Sequence, residues 1–169
     1  KFPQWAAGFW QCKLRYETQE ELLEVAREYK QRGLPISVIV IDYFHWTMQG
    51  EWKFDPVRWP DPKAMVEELE SMGIKLMVSI WPTIDPRSEN YEVMKNHNYL
   101  LRGEKGVDVV FMFFGPQTYV DCTHPDAQKF FWDRAKENYY DYGIKMYWLD
   151  EAEPEMRPDD YDNVRMDLG

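Results

Sequence analysis

Apolar residues in this chain follow two alternating rhythms. A helical spacing runs through Leu22, Leu23, Val25, Ala26 and Tyr29, behind Thr18 with Glu21 three residues on, the pattern of a capping box. Gly33, which tolerates a left-handed cap, marks its end. The run from Ile36 to Ile41 is nearly continuous, β-branched, and ends on Asp42, as expected of a strand buried on both faces. Pro60-Asp61-Pro62 opens a second helix with Met65, Val66 and Leu69 inward, closed by Gly73. Ile74 to Ile80 is another buried strand, running into Trp81-Pro82 and Asp85-Pro86, where the prolines forbid continuation. Thr123-His124-Pro125-Asp126 starts a helix to about Tyr142, Gly143 closes it, and Ile144 to Leu149 forms a strand delivering Asp150. Trp5 to Cys12 reads as a first strand and loop.

Between these elements the pattern is weaker. A long loop carries Trp46, Trp52, Phe54 and Trp59, and residues 90 to 96 have the composition of a short helix. Residues 99 to 120, punctuated by Gly103, Gly106, Gly115 and Pro116, read as an inserted hairpin or loop. The polar, acidic tail from Pro158 is expected to be loosely ordered.

Strands alternating with helices indicate an α/β protein whose parallel strands are joined by helical crossovers. A doubly wound open sheet and a TIM (β/α)8 barrel compete. No glycine-rich turn follows the first strand, so the nucleotide-binding open sheet has no support and the barrel is favoured. About four strands are present, so residues 1 to 169 are read as a single partial domain, the first half of a barrel. Such a half exposes strand edges and an apolar face. The native chain is therefore expected to continue past Gly169, or another molecule to cover that surface.

Composition narrows the function. The 169 residues are 44% apolar, as in ordinary globular proteins, but 17% aromatic, with 8 Trp and 11 Tyr. Flat aromatic faces suit the C–H faces of sugar rings, and an aromatic-rich core accounts for them equally well. A net charge of −10 without any Lys/Arg run argues against nucleic acid. No segment approaches the ~20 apolar residues of a membrane span. The chain begins at Lys1, which leaves the compartment open, periplasmic and secreted locations included. Cys12 and Cys122 form neither a disulfide framework nor a zinc spacing and are expected to be small buried residues.

Four carboxylates stand where apolar strands end or shortly after: Asp42, Asp85, Asp121 and Asp150. In a parallel barrel such ends share one mouth, where catalytic groups gather. Asp121, leading into a helix, and Asp85, between Ile84 and Pro86, are equally explained by local turn and cap hydrogen bonds. Asp42, followed by Tyr43, Phe44, His45 and Trp46, is suited to binding ligand hydroxyls, with a salt bridge as the alternative. Asp150 and Glu153 follow a strand bearing Tyr147 and Trp148, in a cluster that includes Glu151 and Glu155. Crowded acids perturb one another's protonation, and glycoside hydrolysis uses such carboxyl pairs about 5 to 5.5 Å apart in retaining enzymes. An acidic Mg²⁺ or Ca²⁺ site or a solvated loop is the alternative, but no calcium-loop spacing is present, and neither metal nor cofactor is expected. His45, His97 and His124 lack partner patterns, so zinc and Ser-His-Asp chemistry have no support. His45 alone, beside Phe44 and Trp46, is placed to line a pocket.

The order of Gly8-Phe9-Trp10-Gln11, Arg15-Tyr16, Ile41-Asp42-Tyr43-Phe44, Phe54-Asp55-Pro56, Pro60-Asp61-Pro62, Val78-Ser79-Ile80-Trp81-Pro82, Asp121-Cys122-Thr123-His124-Pro125-Asp126-Ala127 and Trp148-Leu149-Asp150-Glu151-Ala152-Glu153-Pro154 resembles glycoside hydrolase family 31, the α-glucosidase and α-xylosidase family. The resemblance runs from Trp5 to about Glu155. It implies that Asp150 is the nucleophile at the end of the fourth barrel strand and that Asp42 binds sugar hydroxyls in the −1 subsite; Glu153, from the acidic cluster, is expected to support Asp150. Phe44 and Trp81 would wall that subsite, with Trp148 and Asp121 completing the expected substrate-binding set. In this family the acid/base is an aspartate of the second half-barrel, and nothing after Glu155 matches it, so this chain by itself is expected to be inactive. The resemblance is strongest to α-xylosidases acting on xyloglucan-type oligosaccharides, with α-glucosidase as the alternative. A non-catalytic carbohydrate-binding protein is the alternative of another class, but it needs no acids at strand ends. The expected partners are an oligosaccharide and the remainder of the barrel.

Overall fold

The computed structural model describes residues 1–153 and 164–168. Pro154, Glu155 and the tail from Pro158 to Asn163 lie outside the described residues. The elements in order are β1 (Trp10–Cys12), α1 (Gln19–Gln31), β2 (Val38–Ile41), α2 (Pro62–Ser71), β3 (Lys75–Ile80), β4 (Thr83–Ile84), α3 (Tyr91–Asn96), β5 (Arg102–Gly103), β6 (Phe111–Met112), β7 (Pro116–Tyr119), α4 (Pro125–Asn138), β8 (Met146–Leu149) and β9 (Val164–Arg165).

The chain divides into two units. The first comprises residues 1–47, 53–80 and 136–148. Its sheet has the order β1-β2-β3-β8, with β1 parallel to β2 and β2 parallel to β3. All four residues of β2 are buried, as its unbroken apolar run requires. The core joins Val38, Ile39 and Ile41 of β2, Val78 of β3, Leu22 and Ala26 of α1, and Met65 and Leu69 of α2, all fully buried.

The helix ends follow from sequence. Thr18 Oγ1 accepts from the Glu21 N–H at 3.2 Å, while the Glu21 carboxylate reaches back to the Glu17 N–H at 2.7 Å, one residue earlier than a standard capping box. Asp61 caps α2 by accepting from Ala64 N–H at 2.9 Å, with Pro62 in the first turn. Helix α4 stops at Asn138, short of the expected Tyr142, because Tyr139 leaves the helical region (φ −134°, ψ −56°) and a 3-10 turn covers Tyr140–Tyr142. Gly143 follows at φ +105°, where a Cβ would sit 2.9 Å from Val66 Cγ1.

The second unit comprises residues 48–52, 81–135 and 149–169, read within the described residues. Strand β4 pairs antiparallel with β7, β7 with β6, and β5 with β9. The two prolines end β3 as expected, yet Thr83 and Ile84 between Pro82 and Pro86 keep their N–H groups and form β4. Leu101, Phe111 and Tyr119 make a small separate core, the two rings stacked at 4.9 Å and 9°. The tail is not wholly loose: Val164 pairs with Gly103 and Arg165 with Arg102.

Cys12 and Cys122 are exposed and free, which corrects the expectation of burial. Cys12 is the last residue of the edge strand β1, and Cys122 lies in the turn before α4.

Candidate active site

In the first unit, the pairing of β2 with β3 ends at Ile41, and Asp42 is the next residue. Its Oδ1 accepts from the Tyr43 N–H at 2.8 Å, and the Cys12 thiol lies 3.7 Å from Oδ2. Partial burial of the sulfur, with the Asp42 charge behind it, pushes the Cys12 thiol up to about 11. The Asp42 carbonyl is 2.9 Å from Nδ1 of His45. Phe44 adopts φ +59°, a conformation costly for a bulky residue. Its ring packs edge-on against Tyr43 and Trp46 at 4.7 and 5.9 Å, and the Arg15 guanidinium stands 5.6 Å from its centroid.

In the second unit, the indole N–H of Trp81 donates to Asp150 Oδ2 at 3.2 Å, and the Trp81 carbonyl accepts from Trp52 Nε1 at 2.9 Å. The rings of Phe113 and Phe114 lie 6.0 and 6.3 Å from that of Trp81. Glu151, directly after Asp150, takes φ +55°, and Phe114 takes φ +53°. Non-glycine residues held in the left-handed region gather where surrounding structure over-determines the backbone, as active sites do. Here four of them among the described residues, Phe44, Trp52, Phe114 and Glu151, lie beside or within two residues of the candidate acids or the Trp81 cluster.

The other two acids are engaged by protein groups, Asp85 by a residue two positions on and Asp121 by its own turn and by distant Asp167. Asp85 is buried and forms a bidentate pair with Arg87, at 2.9 Å to Nε and 2.7 Å to Nη2, which holds its carboxyl below the usual range. Asp121 is buried as well: Oδ1 accepts from the Thr123 N–H and hydroxyl at 2.9 and 2.6 Å, and Oδ2 from the Asp167 N–H at 2.6 Å. Glu153 is exposed, and Trp148 is 52% exposed.

Trp81 and Asp150, expected from the sequence as separate site residues, are joined in the structure. Residue order gave no sign of Cys12 against Asp42, or of Tyr139 bonded to His45 across 94 positions. The doublet Phe113-Phe114 before Gly115 was the one signal for the two rings beside Trp81, and it lay in the weakly patterned segment. Among the described residues no cluster of three or more His, Cys, Asp or Glu is placed to hold a metal, and no helix is long and apolar enough to cross a membrane.

Comparison with known proteins gives the family. The family model described as "Glycosyl hydrolases family 31 TIM-barrel domain" matches residues 1–167. The chain is 59% identical over 167 residues to "Uncharacterized family 31 glucosidase ORF2" of Pseudescherichia vulneris, covering 99% of this chain and 32% of that protein. It is 36% identical over 165 residues to "Alpha-xylosidase A" of Aspergillus niger, covering 95% of this chain and 22% of that protein. The crystal structure of a GH31 alpha-xylosidase from a soil metagenome, complexed with xylose, superposes with a TM-score of 0.93 at 62% identity, covering 99% of this chain and 25% of that one. The chain thus spans a third or less of the length of these relatives. With four central strands in the order described, it belongs to glycosyl hydrolase family 31 and forms part of that family's TIM-barrel domain.

Proposed function

We propose that the protein carrying this chain is a retaining α-glycoside hydrolase, an α-xylosidase releasing xylose from xyloglucan-type oligosaccharides, with Asp150 as nucleophile. The observation that carries the assignment is the Trp81 N–H on Asp150 Oδ2. That bond fixes the carboxylate's rotation directly after β8 and leaves Oδ1 to attack the anomeric carbon. As the new C–O bond forms, the glycosidic bond breaks, and the departing oxygen takes a proton from the enzyme's general acid. Water then cleaves the glycosyl-enzyme, and the Trp81 N–H favours departure of the regenerated carboxylate.

Asp42 binds hydroxyls of the same sugar, Phe44 and Trp81 wall it, and Trp148 offers an exposed ring. Asp121 acts indirectly, holding the turn ahead of α4. Glu153 supports the acidic neighbourhood. The named α-xylosidase relatives favour xylose, while the name of the Pseudescherichia vulneris protein favours α-glucosidase as the second reading.

The full-length protein, assayed on aryl α-xylosides and α-glucosides with the first-formed anomer read by NMR, tests this. Net retention and a kcat/KM at least about tenfold higher for the xyloside are expected. Inversion contradicts the double displacement, preference for the glucoside selects the second reading, and sugar binding without turnover selects a non-catalytic binding protein.

A further inference from the structure

His45 and Tyr139 are both fully buried, 94 residues apart in sequence, and both belong to the first unit. Each ring nitrogen of His45 is engaged: Nδ1 lies 2.9 Å from the Asp42 carbonyl oxygen and Nε2 2.9 Å from the Tyr139 hydroxyl. A carbonyl oxygen only accepts, so Nδ1 carries the proton, and Nε2 must then accept from the Tyr139 O–H. Burial pushes the imidazole down to about 4, so it stays neutral in this tautomer across the neutral range.

The surroundings hold the ring in place. Trp46 and Phe54 pack at 4.7 and 5.1 Å from His45, Phe54 packs at 5.1 Å on Tyr139, and the Asp55 N–H donates to the His45 carbonyl at 2.8 Å. Rotation of the imidazole would break both hydrogen bonds.

Asp42 is where this matters. The ladder between β2 and β3 ends one residue before it, at Ile41. Its carboxylate meets the N–H of the next residue and, at 3.7 Å, the Cys12 thiol. The His45 Nδ1–H, by contrast, ties the Asp42 backbone to the buried interior.

We propose that His45 and Tyr139 are positioning residues for Asp42: the Tyr139 hydroxyl selects the Nδ1–H tautomer of His45, and that proton holds the Asp42 carbonyl so that its carboxylate faces the sugar. This rests on the reading of Asp42 as a sugar-binding residue. Without the hydroxyl, Nε2 loses its donor, the alternative tautomer becomes accessible, and the hold on Asp42 is lost.

A double-mutant cycle in the full-length protein tests it, with kcat and KM measured on an aryl α-xyloside and the thermal midpoint recorded for every variant. Tyr139→Phe is expected to lower kcat/KM about tenfold, and to have little effect in an Asp42→Ala background. Asparagine can present its amide N–H where Nδ1 stands, so His45→Asn is expected to keep several-fold more activity than His45→Leu. If Tyr139→Phe costs the same with and without Asp42, or if His45→Asn and His45→Leu fall equally while sharing one midpoint, the positioning role is wrong. A variant that does not fold leaves the other arm to decide. If Asp42→Ala alone retains full activity, the underlying reading of Asp42 fails, and the proposal with it.

Discussion

Trp81 donates its indole N–H to Asp150 Oδ2 at 3.2 Å, and its own carbonyl is held by Trp52 Nε1 at 2.9 Å, so two tryptophans in series orient the candidate nucleophile. Trp81→Phe keeps most of the buried ring and deletes the donor. A hydrogen bond to a charged acceptor contributes about 1.5–3 kcal/mol, so kcat/KM is expected to fall about 10- to 100-fold. Steady-state kinetics on an aryl α-xyloside checks this, and an unchanged rate means that the bond does not serve catalysis.

The loop that delivers Trp52 depends on Gly50, at φ +88° with its carbonyl accepting from Asn90 Nδ2 at 2.9 Å. A Cβ there would stand 2.4 Å from Ile84 Cγ1 and 2.7 Å from Ile84 Cα, and the latter is backbone and cannot move aside. Gly50→Ala is expected to destabilise by about 3 kcal/mol, from strain and overlap together. Thermal denaturation of the two proteins side by side measures it.

Cys12 is exposed as a residue, yet its thiol is pushed up to about 11 by partial burial of the sulfur and by Asp42. Only the thiolate is nucleophilic. Iodoacetamide at pH 8 is therefore expected to modify Cys12 about 100-fold more slowly than an ordinary thiol of pKa near 8.5. Cys12 alkylation at the rate of a model thiol, followed by peptide mass spectrometry, would show that Asp42 does not act on it.

His45 makes a signed prediction about pH. Its folded value of about 4 lies below the unfolded value near 6.5, so between these limits the unfolded chain binds a proton that the folded chain does not. Stability from this group is fully present above about pH 6.5, declines as pH falls, and levels off below about 4. The full effect is on the order of 3 kcal/mol. The drop in thermal midpoint between pH 6.5 and 4 is expected to be smaller in His45→Asn, which has no group to protonate.

Much of this was legible in residue order, for identifiable reasons. The unbroken β-branched run before Asp42 can be satisfied only by a strand covered on both faces, and β2 is such a strand. Thr18 and Asp61 carry the oxygens that helix starts need and were found capping α1 and α2. Long-range pairings were not legible: nothing near His45 announces Tyr139, because a hydrogen bond across 94 residues leaves no local spacing. The segment from residue 99 to 120 resisted for another reason. Its strands are two to four residues long, too short for alternation to register; β6 pairs with β7 within the segment, but β7 also pairs with Thr83 and Ile84, and β5 with Val164 and Arg165, partners that lie far off in sequence. The burial wrongly expected for Cys12 and Cys122 came from a residue-type average, which ignores that one ends an edge strand and the other lies in a turn.

The identity of the nucleophile is the central claim, and covalent trapping tests it most directly. The full-length protein treated with a 5-fluoro-xylosyl fluoride accumulates the glycosyl-enzyme, and digestion with peptide sequencing locates the sugar. A label on Asp150 is the predicted result; a label on Asp42, Glu153 or any other residue contradicts it.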